Sequence, residues 1–202
     1  MLEAYPDARP IHELYTPMSR RTHFPAASHA FLVRAALNLA RVVTRLHGGG
    51  FVIGDLNHSS VLVLPNATVR IVDADSFPLP PDFVCRVGTP EYMPAELQDA
   101  DLGSVRRLAR HDVFALSVLI YQLLSGGRHP FAGYGGRPSA NLADNIRRAK
   151  RYRLTEWQRK ELSATLTDRQ RSQAIKLFQN VFSRNPAHDE SAGDWVAAFT
   201  AA

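Results

Sequence analysis

The stretch FVIGDLNHSSVLVLPNATVRIVDADSF, from Phe51 to Phe77, decides how this chain is read. Its pattern predicts two short apolar strands, each running straight into an aspartate: Asp55 follows Val52-Ile53, and Asp73 follows Ile71-Val72. A carboxylate at a buried strand end is costly unless something there uses its charge. Taken singly, each aspartate also fits a turn cap, because Asp readily bonds nearby backbone after a strand.

Working outward, SHAFLVRAALNLARVVTRLHGGG opens at an N-cap, Ser28, and sets Leu32, Ala36, Leu39, Val43 and Leu46 on one face before Gly48-Gly49-Gly50 stops it. That spacing predicts a helix. Residues 1–27, rich in Pro and His and without sustained periodicity, read as an irregular lead-in to a body spanning 28–202. Downstream, Pro78-Leu79-Pro80-Pro81 ends regular structure. Helices are then expected over Pro94–Ala100, Arg110–Ser125, Ala140–Tyr152, Thr155–Leu162, Thr167–Ser183 and Ala192–Ala201. The run VFALSVLIYQLL, Val113–Leu124, is apolar on every side and reads as a buried central helix, short of the roughly 20 residues a membrane span needs.

Composition narrows the function classes. With 202 residues, 45% apolar and 21% charged, the chain suits one soluble domain. The lone Cys85 excludes an internal disulfide and a cysteine-built zinc site, so a reducing cytoplasm is expected. The eight histidines show no paired metal spacing, and the N-terminus lacks the basic start and apolar core of a signal peptide. The net charge of +5 sits largely in two runs, RRLAR (Arg106–Arg110) and RRAKRYR (Arg147–Arg153). Without interleaved stacking aromatics these read as solvated helix faces or a dock for an acidic partner, and nucleic acid is not an expected ligand.

Four motifs then stand in order between Gly54 and Phe131. GDLNHSSVLV resembles the catalytic loop of protein kinases, H-R-D-L-K-P-x-N. IVDADSF resembles the metal-binding D-F-G, and GTPEYMPAEL the activation-segment end that closes on A-P-E. RHDVFALSVLIYQLLSGGRHPF resembles the Asp-led central helix and the loop after it. In detail the chain is most similar to a bacterial Ser/Thr protein kinase-like family often joined to helix-hairpin-helix segments or found in stress-response operons. The resemblance implies a mainly α fold: a protein kinase-like C-terminal, or large, lobe with a small β-hairpin carrying the catalytic-loop and metal-binding aspartates. The N-terminal lobe is expected to be absent, since there is no G-x-G-x-x-G and the first lysine is Lys150.

The same resemblance implies ATP- and Mg²⁺-dependent transfer to protein Ser/Thr, with weak or absent cofactor binding by this chain alone. It assigns catalytic roles to Asp55, Asn57 and Thr89. Nucleotide contacts fall to Leu2, Ser60 and Leu62, and metal contacts to Asp73, Ser60 and Asp75. Asp112 is expected to bond the backbone amides of the catalytic loop. A protein substrate or partner follows, and the face left by a missing small lobe, with Met1, Leu2, Leu62 and Val72, is a candidate for self-association.

Departures from the family pattern open other readings. Ile53 and Gly54 replace the usual His-Arg, so a phosphorylated activation segment has no charge partner beside Asp55. Ser60 replaces the metal-binding Asn, and Asn57 the usual Lys. Ala74-Asp75 replace Phe-Gly, leaving Asp75 either a third ligand or a turn residue. Asp189 falls where an Arg would pair with the A-P-E glutamate, so Glu96 is expected to lack that partner, with Arg171 and Arg184 as stand-ins. A pseudokinase-like interaction module is the alternative. A small-molecule phosphotransferase, suggested by Gly54-Asp55-Leu56, is third, and GTPEYMPAEL argues against it.

Overall fold

Ser28 opens the longest helix, its hydroxyl accepting the Phe31 N–H. This helix, α3 (His29–Gly48), buries Leu32, Ala35, Ala36, Leu39, Ala40 and Val43. The three alanines keep that face narrow enough for two helices to pack on it, α4 (Ala109–Leu124) and α8 (Ala192–Thr200). The computed structural model describes residues 6–73, 77, 84–133, 141–183 and 189–200.

Helix α4 is the pillar that the Val113–Leu124 run predicts. Every residue from His111 to Leu124 is buried, and Leu116, Val118, Leu119 and Leu123 are fully so. Fully burying one such side chain is worth about 1.5–3 kcal/mol, so this helix dominates the core. Midway along it Ser117 donates to the Val113 carbonyl at 2.7 Å and accepts the Trp195 indole N–H at 2.9 Å, which fastens α8 to α4. Around it Phe114, Phe131, Tyr152, Phe178, Phe182 and Trp195 meet edge-on, tilted or stacked, with Phe178 and Trp195 centroids 4.7 Å apart.

Helices α5 (Leu142–Arg148), α6 (Glu156–Ser163) and α7 (Asp168–Val181) close the lower part. Thr155 and Thr167 cap α6 and α7, each in a reciprocal box with the glutamine three residues on. No helix among the described residues is long and apolar enough to cross a membrane.

One antiparallel sheet of three short strands sits against α3, ordered β1 (Arg9–Pro10), β2 (Val61–Val63), β3 (Val69–Ile71). Its register pairs Pro10 with Leu62, Leu62 with Arg70, and Val63 with Val69. The hairpin turns at Ala67, whose φ of 65° is left-handed and whose carbonyl accepts from Asn38 of α3 at 2.9 Å. A mainly helical chain with a small hairpin is what the resemblance implied.

Four local expectations are corrected. Val52-Ile53 is not a strand, because the Ile53 amide is taken by a side chain rather than a ladder. The lead-in over 1–27 is not irregular: it adds β1 and two helices, α1 (Ile11–Tyr15) and α2 (Pro17–His23), with Ile11 and Leu14 fully buried. Pro94–Ala100 is not an α-helix; Pro90–Tyr92 and Ala95–Leu97 form single 3₁₀ turns instead. The helix expected over Ala140–Tyr152 shrinks to α5, opened by the Asn141 side chain accepting the Ala143 N–H.

Candidate functional site

Asp112, in the first turn of α4 and 1% exposed, is the anchor of the site. One of its oxygens accepts the Ile53 N–H at 2.8 Å and the other the Gly54 N–H at 3.0 Å. His47 Nε2, at the end of α3, reaches the same carboxylate at 2.9 Å. Three donors satisfy a charge that would otherwise be prohibitive at this depth. Gly54 takes φ +88°, a conformation open to glycine, which lets the chain turn immediately after that bond.

Asp55 follows, half-buried, and its Oδ1 accepts the Thr89 N–H at 3.0 Å. The catalytic-loop candidate is thereby joined to the GTPEY segment, 34 residues on. From Asp55 to Ser60 the loop is bonded mainly to itself. Asn57 Nδ2 donates to the Asp55 carbonyl at 3.1 Å, and its Oδ1 accepts the Ser59 N–H at 2.8 Å. The Ser60 hydroxyl accepts the Asn57 N–H at 3.0 Å and donates to the Asn57 carbonyl at 3.1 Å. Asn57 and Ser60 are both buried. Each therefore shapes the loop that presents Asp55.

The second aspartate arrives by way of the hairpin. The Val72 N–H donates to the Ser60 carbonyl at 2.9 Å, which brings Asp73 beside the end of the catalytic-loop candidate. Asp73 is exposed and left-handed, with φ 66°. Such backbone is uncommon outside glycine, and where it persists in a non-glycine residue it marks a site worth testing for function. Leu62 is half-buried in β2. Leu2 and Asp75 lie outside the described residues.

Thr89 leads into a segment pinned from two sides. Tyr92, buried, donates its hydroxyl to Gln122 Oε1 of α4 at 3.0 Å, and burial pushes its pKa well up. His129 donates from Nε2 to the Glu91 carbonyl at 2.9 Å and accepts the Phe131 N–H on Nδ1. Burial pushes its pKa down to about 4, so the ring is neutral at physiological pH. His58 sits with its centroid 5.5 Å from His12 and 5.6 Å from Tyr92; burial foremost, then the neighbouring His12, lowers its pKa. Between Asp55 and Leu56 on one side and Tyr92, Met93 and Leu97 on the other runs a narrow cleft of about 10 Å³, room for roughly one water.

The expectation for Glu96 changes. It is 44% exposed rather than buried and bare, and it faces Arg110 at 3.7 Å and His111 at 3.8 Å, at the start of α4. Arg171, one proposed stand-in, is engaged by Asp168 at 2.6 Å, and Arg184 lies outside the described residues. Asp189 is exposed. The residue that sequence reasoning missed is His47; its only signal is its place in the last turn of α3, just ahead of the loop it helps to hold.

Among the described residues no three His, Cys, Asp or Glu side chains gather to hold a metal ion. Mg²⁺ asks for less, one or two carboxylates with water and phosphate supplying the rest, and an exposed Asp73 at a strand end fits that donor chemistry.

No protein-family model matches the chain. It is 38% identical over 128 residues to the protein kinase YegI of Escherichia coli O157:H7, a match covering 61% of this chain and 20% of that protein. It is 37% identical, over the same length and shares, to the protein kinase YegI of Escherichia coli strain K12. The chain spans about a fifth of the length of these curated relatives.

Proposed function

We propose, from the 38% identity to the protein kinase YegI over 61% of this chain, that residues 28–202 form the large-lobe half of a phosphoryl-transfer site, with residues 1–27 leading in from the hinge. In this reading Asp55 orients the attacking hydroxyl of a protein Ser or Thr and takes its proton. Asp73 holds Mg²⁺ against the nucleotide phosphates. The metal, when bound, spreads the negative charge that builds on the transferring phosphoryl oxygens. The observation that carries the reading is the Asp55–Thr89 bond, for it sets the carboxylate against the segment on which the resemblance seats a peptide.

Asn57 and Ser60 act here as loop braces that set the direction of Asp55. A second reading, a kinase-like interaction module, is favoured by the Ser60 hydroxyl being engaged within its own loop and by a sequence that offers no G-x-G-x-x-G and no lysine before Lys150. Losing one preorganised charge-stabilising group costs about 3 kcal/mol, roughly a hundredfold in rate. The 202 residues alone are therefore expected to bind Mg²⁺-ATP weakly and to transfer phosphate at a negligible rate. A radiolabelled transfer assay on the wild type, Asp55→Asn and Asp73→Ala tests this. Turnover that Asp73→Ala abolishes makes the lobe a working enzyme; turnover indifferent to Asp73→Ala puts the chemistry elsewhere.

A further inference from the structure

Arg107 is 2% exposed, yet its Nε and Nη1 find no hydrogen-bond partner among the described residues. Its one bond runs from Nη2 to the Val87 carbonyl, at 2.7 Å. A guanidinium does not shed its proton, so burial cannot be relieved by neutralisation, as it is for a lysine or a histidine. A carbonyl or a water satisfies a donor but not the charge. Native proteins seldom leave such a group without an anion.

Among the described residues no carboxylate pairs with Arg107. Glu96 is the acid facing the start of α4, and it is already shared by Arg110 and His111. The His111 Nδ1 accepts the Leu108 N–H at 3.1 Å, so its ring proton sits on Nε2, which is buried and unbonded. The positive charge of Arg107 adds to the lowering of the His111 pKa, for which burial is the main cause. Arg106 and Arg110 add two exposed charges, and Leu108, the residue that opens α4, has no side-chain oxygen with which to cap it. Gly88 lets Met93 and Arg107 close in on the backbone: a Cβ there would stand 3.1 Å from Arg107 Nη2 and 2.4 Å from Met93 Sδ.

We propose that Arg107 forms the floor of a binding site for a phosphate-type oxyanion, at the junction between the Val87–Met93 segment and the start of α4. Val87, whose carbonyl Arg107 holds, and Leu108, next to Arg107 in sequence, are 55% and 37% exposed. An anion seated there neutralises Arg107 and ties to α4 the segment whose Thr89 amide holds Asp55. The site is independent of any catalysis at Asp55, so its test does not depend on turnover.

The test is phosphorus-31 linewidth of inorganic phosphate against the full chain, with thermal unfolding in phosphate and in chloride at equal ionic strength. The wild type is expected to broaden the signal and to melt higher in phosphate. Arg107→Met is expected to lose both effects and, in phosphate-free buffer, to melt no lower than the wild type. Arg107→Lys, which keeps a charge and loses the fork, is expected to weaken binding at least tenfold and covers the case of a Met variant that fails to fold. O-phosphoserine as competitor separates the two sources of this chemistry: displacement of phosphate means that a phosphorylated side chain fits, and no displacement means that the site takes the free ion. No broadening, or equal broadening by all three proteins, which would be an adventitious ion only, overturns the proposal.

Discussion

Asp112 and Asp73 are the same residue type put to opposite uses. Asp112 is 1% exposed and gathers two backbone amides and an imidazole. Asp73 is exposed, on left-handed backbone, at the far end of the hairpin. The first charge is spent inside the protein, where it bends the Ile53–Gly54 backbone and so directs Asp55. The second is exposed, where a ligand can reach it. A buried aspartate with a full set of donors is a structural part, and substitution there should cost stability heavily. An exposed one in unfavourable backbone should cost function and almost no stability.

The largest effect expected is that of Asp112→Ala. It leaves the Ile53 and Gly54 amides and His47 without their acceptor, and loss of one partner from such a buried arrangement costs about 3–5 kcal/mol. Urea denaturation should show that loss with an unchanged slope; a change under 1 kcal/mol would erase the distinction between the two aspartates.

Next in size is a pH effect on the fixed half. His129 has its folded pKa pushed down to about 4 from an ordinary 6.5, so between those values the unfolded chain binds a proton that the folded chain refuses. The resulting stability is fully present above about pH 6.5 and drains away as pH falls toward 4, about 3 kcal/mol in all at 1.4 kcal/mol per unit. His129→Gln should flatten that slope in denaturation curves taken from pH 7 to 4. An unchanged slope would mean that His129 is protonated in the fold, in conflict with its bond from the Phe131 N–H.

Smaller still is Ser28→Ala, which removes the cap of α3 and should cost about 1 kcal/mol. Last comes Asp73→Gly, which removes the carboxylate and relieves the left-handed strain; stability should stay within about 1 kcal/mol of the wild type. A large loss on that change would make Asp73 a second structural aspartate.

The sequence spoke most clearly where periodicity and capping agree. Helices α3, α4, α6, α7 and α8 follow from apolar spacing bounded by Ser28, Thr155 and Thr167, and the reach of Asp112 to the loop amides was expected before any coordinates. It misled where two physical meanings share one pattern. Val52-Ile53 looks like a strand, but Ile53 is apolar because it is buried at 1% exposure, and its amide is held by Asp112 instead of a ladder. The prolines of the lead-in read as breaks, yet Pro17 sits at the first position of α2, where its missing N–H costs nothing. Glu96 was read as buried because the family pattern buries its counterpart; here it is half-exposed and faces Arg110, in the first turn of α4. His47 and the orphaned Arg107 donors depend on distant packing, which no local pattern encodes.

The central claim, that Asp55 and Asp73 bound one ligand site, is tested most directly by paramagnetic relaxation. Mn²⁺ with ATP, added to the isotopically labelled chain, reports even weak binding through the broadening of nearby amide signals. The account expects broadening centred on Val72–Asp73 and on Asp55–Ser60, lost in Asp73→Ala while the fold persists. Broadening centred instead on the acidic groove of Asp189, Glu190 and Asp194, or left intact by Asp73→Ala, would contradict it.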